Sequence, residues 1–442
     1  MREMIRRHAL IRKLSAVETL GSATVICSDK TGTLTQNEMT AVHLWVHHAE
    51  LTIEGGGYQP EGLFRRPDRD NRQMDVRDDV EVAGLLWAAA LANDADLEES
   101  GSMDGKASYR MVGDPTEGAL IVAAAKADLW RRNLEKSYPR VAEAPFDAER
   151  KRMSTIHRLD SITEDDGSPF QPGVQGYVVC VKGAPDLLLA QSSSLLHRKG
   201  ALPMEAHDQV EIHAANARMA SQALRVLGVA YRYLEELPAS ITAETVEHDL
   251  VFIGLIGMID PPRPEVAPAV AKARAAGLRT VMITGDYSQT ARAIAQQIGL
   301  LRPQGQIHTG AEIDAMSDAQ LVGVIEQTDV FARVSPQHKV RIVEAFKACD
   351  EVVAMTGDGV NDAPALKRAN IGIAMGIPGT DVSKETADIV LTDDNYVSIV
   401  GAVEQGRIIY SNIRKSVVYR LRSHAPAVAI FSLPPLMAGA PP

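Results

Sequence analysis

Short apolar runs alternate with helical stretches in two separate blocks of this chain. The first block is brief. Residues 2–20 carry a helical pattern stopped by Gly21, and Ala23-Thr24-Val25-Ile26 then reads as a buried strand that ends where Cys27-Ser28-Asp29 begins. From Leu250 the pattern resumes and runs on. Strands are predicted over 251–258, 280–283, 330–332, 352–355, 371–374 and 389–391. Helices are predicted over 264–276, from after Asp286 to Ile298, and over 336–348 and 363–369. Alternation of this kind implies an α/β fold, a doubly wound parallel sheet with right-handed crossovers.

Between about Thr40 and Leu250 that pattern stops. Connections in compact domains are about 4–6 residues long, so this stretch must be an inserted domain. Helices are predicted over 78–97, 115–134 and 207–224, with Asp114 or Thr116 capping the second. Strands are predicted over 153–159, 177–182 and 225–232, the first two as an antiparallel pair with a long loop. The charged stretch 65–79 reads as a solvated loop. The insertion is therefore α+β.

Composition narrows the functional classes. A net charge of −11 without a basic block argues against nucleic acid as a partner. Three cysteines, Cys27, Cys180 and Cys349, form no CxxC pair, which suits a reducing compartment. The twelve histidines show no metal-ligand spacing. Near the end, 425–437 is mostly apolar behind a basic flank of Arg407, Arg414, Lys415, Arg420 and Arg422. This is expected to be one membrane helix followed by a turn, with the flank on the cytoplasmic side. A buried terminal segment is the alternative, since five prolines interrupt residues 423–442.

The candidate chemistry sits at strand ends. Asp29 lies at the carboxyl end of its strand, where open α/β sheets bind ligands, followed by Lys30-Thr31-Gly32-Thr33-Leu34-Thr35. A lone aspartate there is more often a turn or cap residue. Thr284-Gly285-Asp286 joins a strand to a helix whose amides could hold phosphate oxygens, although a capped helix start has the same appearance. Lys339 reads by itself as a solvated helix lysine. More specific is Thr356-Gly357-Asp358-Gly359-Val360-Asn361-Asp362. Its two carboxylates on a glycine-permitted loop can converge on one hard cation, and Mg²⁺ prefers one or two carboxylates together with phosphate. No GxxxxGK[ST] pattern occurs, which excludes a P-loop.

In order, DKTGTLT, KGAP, DPPR, TGD and TGDGVNDAPAL resemble the P-type ATPases of the haloacid-dehalogenase-like superfamily, over essentially the whole chain. CSDKTGTLTQNEMT and the stretch 381–396 are most similar to the type II cation pumps, such as the calcium and sodium/potassium pumps. The resemblance implies that Asp29 is the aspartyl nucleophile, within the loop of Lys30 and Thr31. Related phosphatases carry a second aspartate at the Thr31 position as acid and base; its replacement would let an acyl phosphate persist, as a pump requires. The resemblance further implies phosphoryl contact by Thr284 and Gly285, support by Asp286, and charge neutralisation by Lys339. It places Mg²⁺ between Asp29, the Thr31 carbonyl and Asp358, with Asn361 and Asp362 close by. In the insertion it implies an ATP site: Glu117 on the adenine side, Phe146 stacking on the base with Lys151 and Met153 in the same segment, Lys182 and Gly183 of KGAP, and Arg225 reaching phosphate. A base and triphosphate need an aromatic face and such cations. Asp260 would belong to a hinge and Arg333 would lie near the phosphates.

The expected organisation is a stalk helix and first part of the phosphorylation domain over 1–42, and a nucleotide-binding domain over 43–257. The second part of the phosphorylation domain would span 258–405, and a stalk with one transmembrane segment 406–442. The function implied is Mg²⁺-dependent transfer of phosphate from ATP to Asp29, driving cation transport in a multi-pass parent of the plasma or inner membrane with its catalytic domains in the cytoplasm. An actuator domain and further membrane helices would lie outside this chain, which is expected to be the catalytic middle of a pump. Where calcium pumps present an acidic residue, 423–427 offers no carboxylate, so the ion is not specified. A soluble phosphatase of the same superfamily and a catalytically idle nucleotide-binding fragment are the rival readings.

Overall fold

The structure, a computed structural model, describes residues 2–13, 15–47, 49–69, 71–103, 106–159, 162, 167–171, 173–377 and 379–437. The chain divides into two compact units, Met1–Thr35 with Pro262–Pro442, and Gln36–Pro261.

In the first unit eight strands form one sheet. Their order is Ala9–Ile11, Ile389–Leu391, Ile371–Met375, Val353–Gly357, Val25–Asp29, Arg279–Ile283, Thr328–Ala332 and Gln306–Thr309. All neighbours are parallel except the first pair. Val25–Asp29 is central, with Asp29 level with Ile283 and Cys27 level with Met355. The chain continues to one side of this strand and later returns to the other, so the loops after Asp29, Ile283 and Gly357 open side by side at the topological switch point. Val25, Cys27, Val281, Ile283, Phe331, Phe346, Val353 and Met355 share the core beneath them. The helix Pro336–Ala348 starts at a capping box in which the Ser335 hydroxyl accepts from His338 N–H, with proline in its first turn. Its buried stripe runs through His338, Lys339, Ile342, Val343 and Phe346, so periodicity carries Lys339 inward.

The inserted unit is built on an antiparallel sheet. Its main path runs Arg72–Met74, Phe64–Arg66, Ala49–Ile53, Thr40–Val46, Leu250–Ile259, Arg225–Leu234, Tyr177–Gly183, Arg152–Arg158 and Arg140–Asp147. The hairpin Ser192–His197 with Gly200–Pro203 joins it alongside Leu250–Ile259. The helix Val80–Leu91 is buried from Glu81 onward and capped by Asp79, and Asp114 caps Pro115–Lys126.

Several expectations change. Leu250–Ile259 does not resume the parallel sheet; it is a central strand of the insertion, antiparallel to Thr40–Val46 and Arg225–Leu234. A strand buried on both faces gives the same apolar run in either sheet. The units accordingly meet at 35/36 and 261/262, not at 42/43 and 257/258. Residues 2–20 form two short helices, Arg2–Arg6 and Ser15–Gly21, flanking the edge strand Ala9–Ile11. The helix expected over 115–134 breaks at Ala127 and restarts at Arg131, and the stretch 65–79 contributes two short strands. At the C-terminus the backbone helix Tyr396–Met437 runs through prolines 426, 434 and 435. The expected turn at 438–442 lies outside the described residues, as do the side chains of 423–437. No helix among the described residues is long and apolar enough to cross a membrane.

Candidate active site

Asp29 ends its strand half-buried, and its N–H donates to Thr356 Oγ1 of the neighbouring strand at 3.0 Å. The chain then turns sharply at Gly32, whose φ of 72° is open to glycine at little cost. Thr35 N–H and Oγ1–H both donate to the Lys30 carbonyl, closing the loop. Lys30 is buried and its Nζ meets Asp286 Oδ2 at 2.7 Å, so the Thr284-Gly285-Asp286 loop is tied to the loop after Asp29 by an ion pair. Thr284 is buried, with Oγ1 accepting from Asp286 N–H; Gly285 is exposed. Thr31 and Asn361 are also exposed.

The centre of the site is Lys339. Its Nζ donates to Asp29 Oδ2 at 2.6 Å and to Asp362 Oδ1 at 2.7 Å, and only 8% of the residue is exposed. Burial alone would lower its pKa, but the two carboxylates raise it well above the ordinary lysine value. Asp362 Oδ2 accepts from Asp358 N–H and Gly359 N–H, which fixes the loop around Asp358. Burial raises the Asp358 carboxyl above the usual range, and the charges of Asp29 and Asp362 add to the rise. Asp358 thus adds a third carboxylate beside the two that share Lys339. An oxygen-only donor set with excess negative charge fits a hard divalent cation, and Asp29, Asp358 and the Thr31 carbonyl are the groups that would hold Mg²⁺.

Arg333 stands apart from the lysine. It adopts φ 51°, its N–H donates to the Asp286 carbonyl, and its guanidinium lies 4.2 Å from the Tyr287 ring centroid. The sequence reading missed three supports. Arg263 donates from Nε to the Thr35 carbonyl and from a terminal nitrogen to the Gly32 carbonyl, each at 3.2 Å. Thr380 N–H and Ser383 Oγ–H converge on the Asp358 carbonyl at 2.9 and 3.0 Å. Thr356 anchors the Asp29 backbone from within its own motif. The DPPR motif contained the signal for Arg263; Ser383 lies in the stretch 381–396, but nothing there pointed to its contact with Asp358.

In the insertion, Lys182 Nζ donates to Glu117 Oε1 at 2.7 Å, and Glu117 Oε2 accepts from Asp94 N–H. Lys182 is 5% exposed; burial lowers its pKa, with Glu117 opposing. Met153 lies directly opposite Lys182 and is buried, whereas Phe146 is 65% exposed. Lys151 is exposed in a left-handed conformation, φ 49°. A Cβ on Gly183 would come within 2.6 Å of the Lys151 carbonyl oxygen, so the glycine permits the close pairing of these two segments. Arg225 is exposed at the start of its strand, and its charge helps hold Asp114 below the usual carboxylate range against the effect of burial. Asp260 Oδ1 accepts from Glu38 N–H, and both carboxylates lie close enough to Tyr58 to help burial push its pKa up to about 12. Under the segment 146–153 sits a support that sequence gave no hint of. The Glu247 carboxylate is fully buried against Arg150, Arg152 Nε at 2.6 Å and Ser154 Oγ at 2.9 Å.

Residues 81–265 match the family model described as P-type ATPase, cytoplasmic domain N, and residues 196–370 match that of haloacid dehalogenase-like hydrolases. The chain is 42% identical over 440 residues to a calcium-transporting ATPase of Bacillus subtilis, covering 99% of this chain and 47% of that protein. The chain belongs to the P-type ATPase family. It is 43% identical over 422 residues to the cation-transporting ATPase pma1 of Synechocystis, covering 95% of this chain and 44% of that protein. A probable cation-transporting ATPase F of Mycobacterium bovis is 42% identical over 426 residues, again covering 95% and 44%. The chain therefore spans about half the length of the P-type ATPases it matches.

Proposed function

We propose that this chain carries out the phosphorylation step of a cation-transporting P-type ATPase: ATP held by the insertion donates its γ-phosphoryl group to Asp29. The observation that carries this reading is Lys339 bridging Asp29 and Asp362 in a buried site. Lys339 holds Asp29 Oδ2, which leaves the other carboxylate oxygen to form the new O–P bond as the bond between the γ-phosphorus and the β–γ bridging oxygen breaks and ADP leaves. The lysine, kept charged by its two partners, then faces the charge that develops on the transferred group. Lys30 and Asp286 fix the neighbouring loop so that the Thr284 hydroxyl and nearby amides can bind phosphoryl oxygens. Mg²⁺, when bound, would supply Lewis-acid polarisation of the phosphoryl oxygens.

In the insertion, Phe146 offers an exposed aromatic face for the base, Lys182 and Arg225 offer positive charge, and Glu117 orients Lys182. Relatives named calcium- and cation-transporting ATPases support a cation as the cargo of the whole protein. Its membrane location, with these units in the cytoplasm, and the actuator and membrane regions acting with them belong to the same proposal.

Acid-quenched labelling from γ-labelled ATP with Mg²⁺ tests the reading. Wild type should acquire hydroxylamine-labile label, and Asp29→Asn should acquire none while still binding ATP. Label retained by Asp29→Asn would refute the nucleophile, and rapid hydrolysis of simple phosphoesters without labelling from ATP would favour a phosphatase.

A further inference from the structure

Outside the ATP and phosphorylation machinery, the insertion gathers two histidines and a glutamate from three distant elements. His47 directly follows the strand Thr40–Val46, Glu81 lies in the first turn of Val80–Leu91, and His197 closes the strand Ser192–His197. Their ligand atoms all lie within 4.8 Å of one another. The two imidazoles meet edge to face, with centroids 4.8 Å apart and planes at 80°. Glu81 is only 4% exposed, and Oε1 accepts from the Arg198 backbone N–H at 3.0 Å. The nearest guanidinium, that of Arg198, goes instead to Asp79 Oδ2 at 3.0 Å. Glu81 is left as a buried carboxylate with an amide partner, beside a second carboxylate and two imidazoles, each with a ring nitrogen turned to the same place. Burial and Asp79 raise its pKa, while Arg198 and Arg66 oppose the rise, so the site disfavours the bare anion.

We propose that His47, Glu81 and His197 bind a divalent transition ion of the zinc type, which clips the end of one strand, a helix start and a hairpin together within the insertion. Two imidazole nitrogens and one oxygen suit such a borderline ion, whereas Mg²⁺ and Ca²⁺ select oxygen donors. Tetrahedral bonds of about 2.0–2.1 Å put ligand atoms roughly 3.3–3.5 Å apart, so the three groups need to close by little over an ångström. Lys199 N–H donates to His197 Nδ1 at 3.3 Å; the ion either takes Nδ1 in place of that long contact or binds Nε2 of the other tautomer, whose Nδ1–H gives that contact up. Water completes the coordination. The donor set is chemically distinct from the carboxylates around Asp29.

The test uses the full chain, stripped with chelator and titrated with Zn²⁺ in excess Mg²⁺, which blocks the oxygen-only site. One equivalent should bind and raise the melting temperature. Co²⁺ in its place should give the intense visible bands of a tetrahedral nitrogen-ligated ion. The double variant His47→Gln/His197→Gln should lose more affinity than the about 10–100-fold typical of outer-shell changes. Glu81→Gln, which keeps an acceptor for Arg198, should also weaken binding. Absence of saturable Zn²⁺ binding, or the weak spectrum of octahedral Co²⁺ on wild type, overturns the proposal even if the variants fail to fold. Binding unchanged in the double variant overturns it as well.

Discussion

Lys339 in the parallel-sheet unit and Lys182 in the insertion are both buried, the latter slightly more deeply, and both end on a carboxylate at 2.6–2.7 Å. They nevertheless shift in opposite directions. Lys339 donates to two carboxylates, and their attraction exceeds the cost of burial; Lys182 donates to Glu117 alone, and burial dominates despite the further charges of Asp94 and Asp114. Two carboxylates in direct contact outweigh burial where one does not, and that separates an interior lysine that is a fixed charge from one poised to lose it. In the proposed reaction a fixed charge would suit the place where phosphoryl charge develops, and a lysine with one direct partner would suit the place where a triphosphate arrives.

The largest test of that contrast removes the doubly paired lysine. Lys339→Met leaves Asp29 and Asp362 without their shared cation, and should lower the phosphorylation rate by about 10²–10³-fold and stability by about 3–5 kcal/mol. Single-turnover labelling and denaturant melts read the two losses; a near-silent variant would mean that the charge is not needed. Next is the acid response of the insertion. His157 is buried between the Tyr138 carbonyl and Thr155 Oγ1, and burial lowers its pKa to about 4. The unfolded ring, with a pKa of about 6.5, takes up the proton first, so stability should fall by about 3 kcal/mol as pH drops from about 6.5 to about 4. Calorimetry of His157→Gln should show a shallower fall from a lower starting point, and parallel curves would exclude His157 as the cause.

Smaller effects should follow at the nucleotide site. Lys182→Ala or Phe146→Ala should each weaken ATP binding by about 1–3 kcal/mol, through loss of a charged contact or a stacking face. Calorimetric titration showing unchanged affinity in both would put the base elsewhere. The last test concerns alkaline pH. The depressed pKa of Lys182 means that stability is gained as pH rises through its folded value toward about 10.4, whereas the raised pKa of Lys339 gives stability present below about 10.4 and lost as pH climbs through its folded value. The stability difference between wild type and Lys182→Met should therefore grow with pH. That between wild type and Lys339→Met should shrink above about 10.4. Each slope is limited to roughly 1.4 kcal/mol per pH unit, and melts across that range would show slopes of one sign if the contrast were wrong.

The parallel sheet and the loop after Val25–Asp29 were legible because strand, turn and helix alternate there with clear punctuation. Leu250–Ile259 was misplaced for a physical reason: a run buried on both faces records burial and says nothing of strand direction. Ala9–Ile11 was hidden by its length, since three residues between basic positions show no period. In the candidate site, motif residues stood where strand ends were expected, but the supports did not. Ser383, Glu247 and the group of His47, Glu81 and His197 act through tertiary proximity, and no local spacing records that.

The chain leaves the parallel-sheet unit after Thr35 and re-enters at Pro262, and those two residues face each other across a backbone bridge. Arg263, the next residue, grips the carbonyls of Gly32 and Thr35. To the sheet, everything between is a closed detour with neighbouring ends. Recombination can treat such a detour as a cassette: a different insert could be spliced between the same two residues, changing which donor is read while leaving the acceptor chemistry intact. Arg263 is the seam of that splice, and a lineage that exchanged its cassette would be expected to keep it.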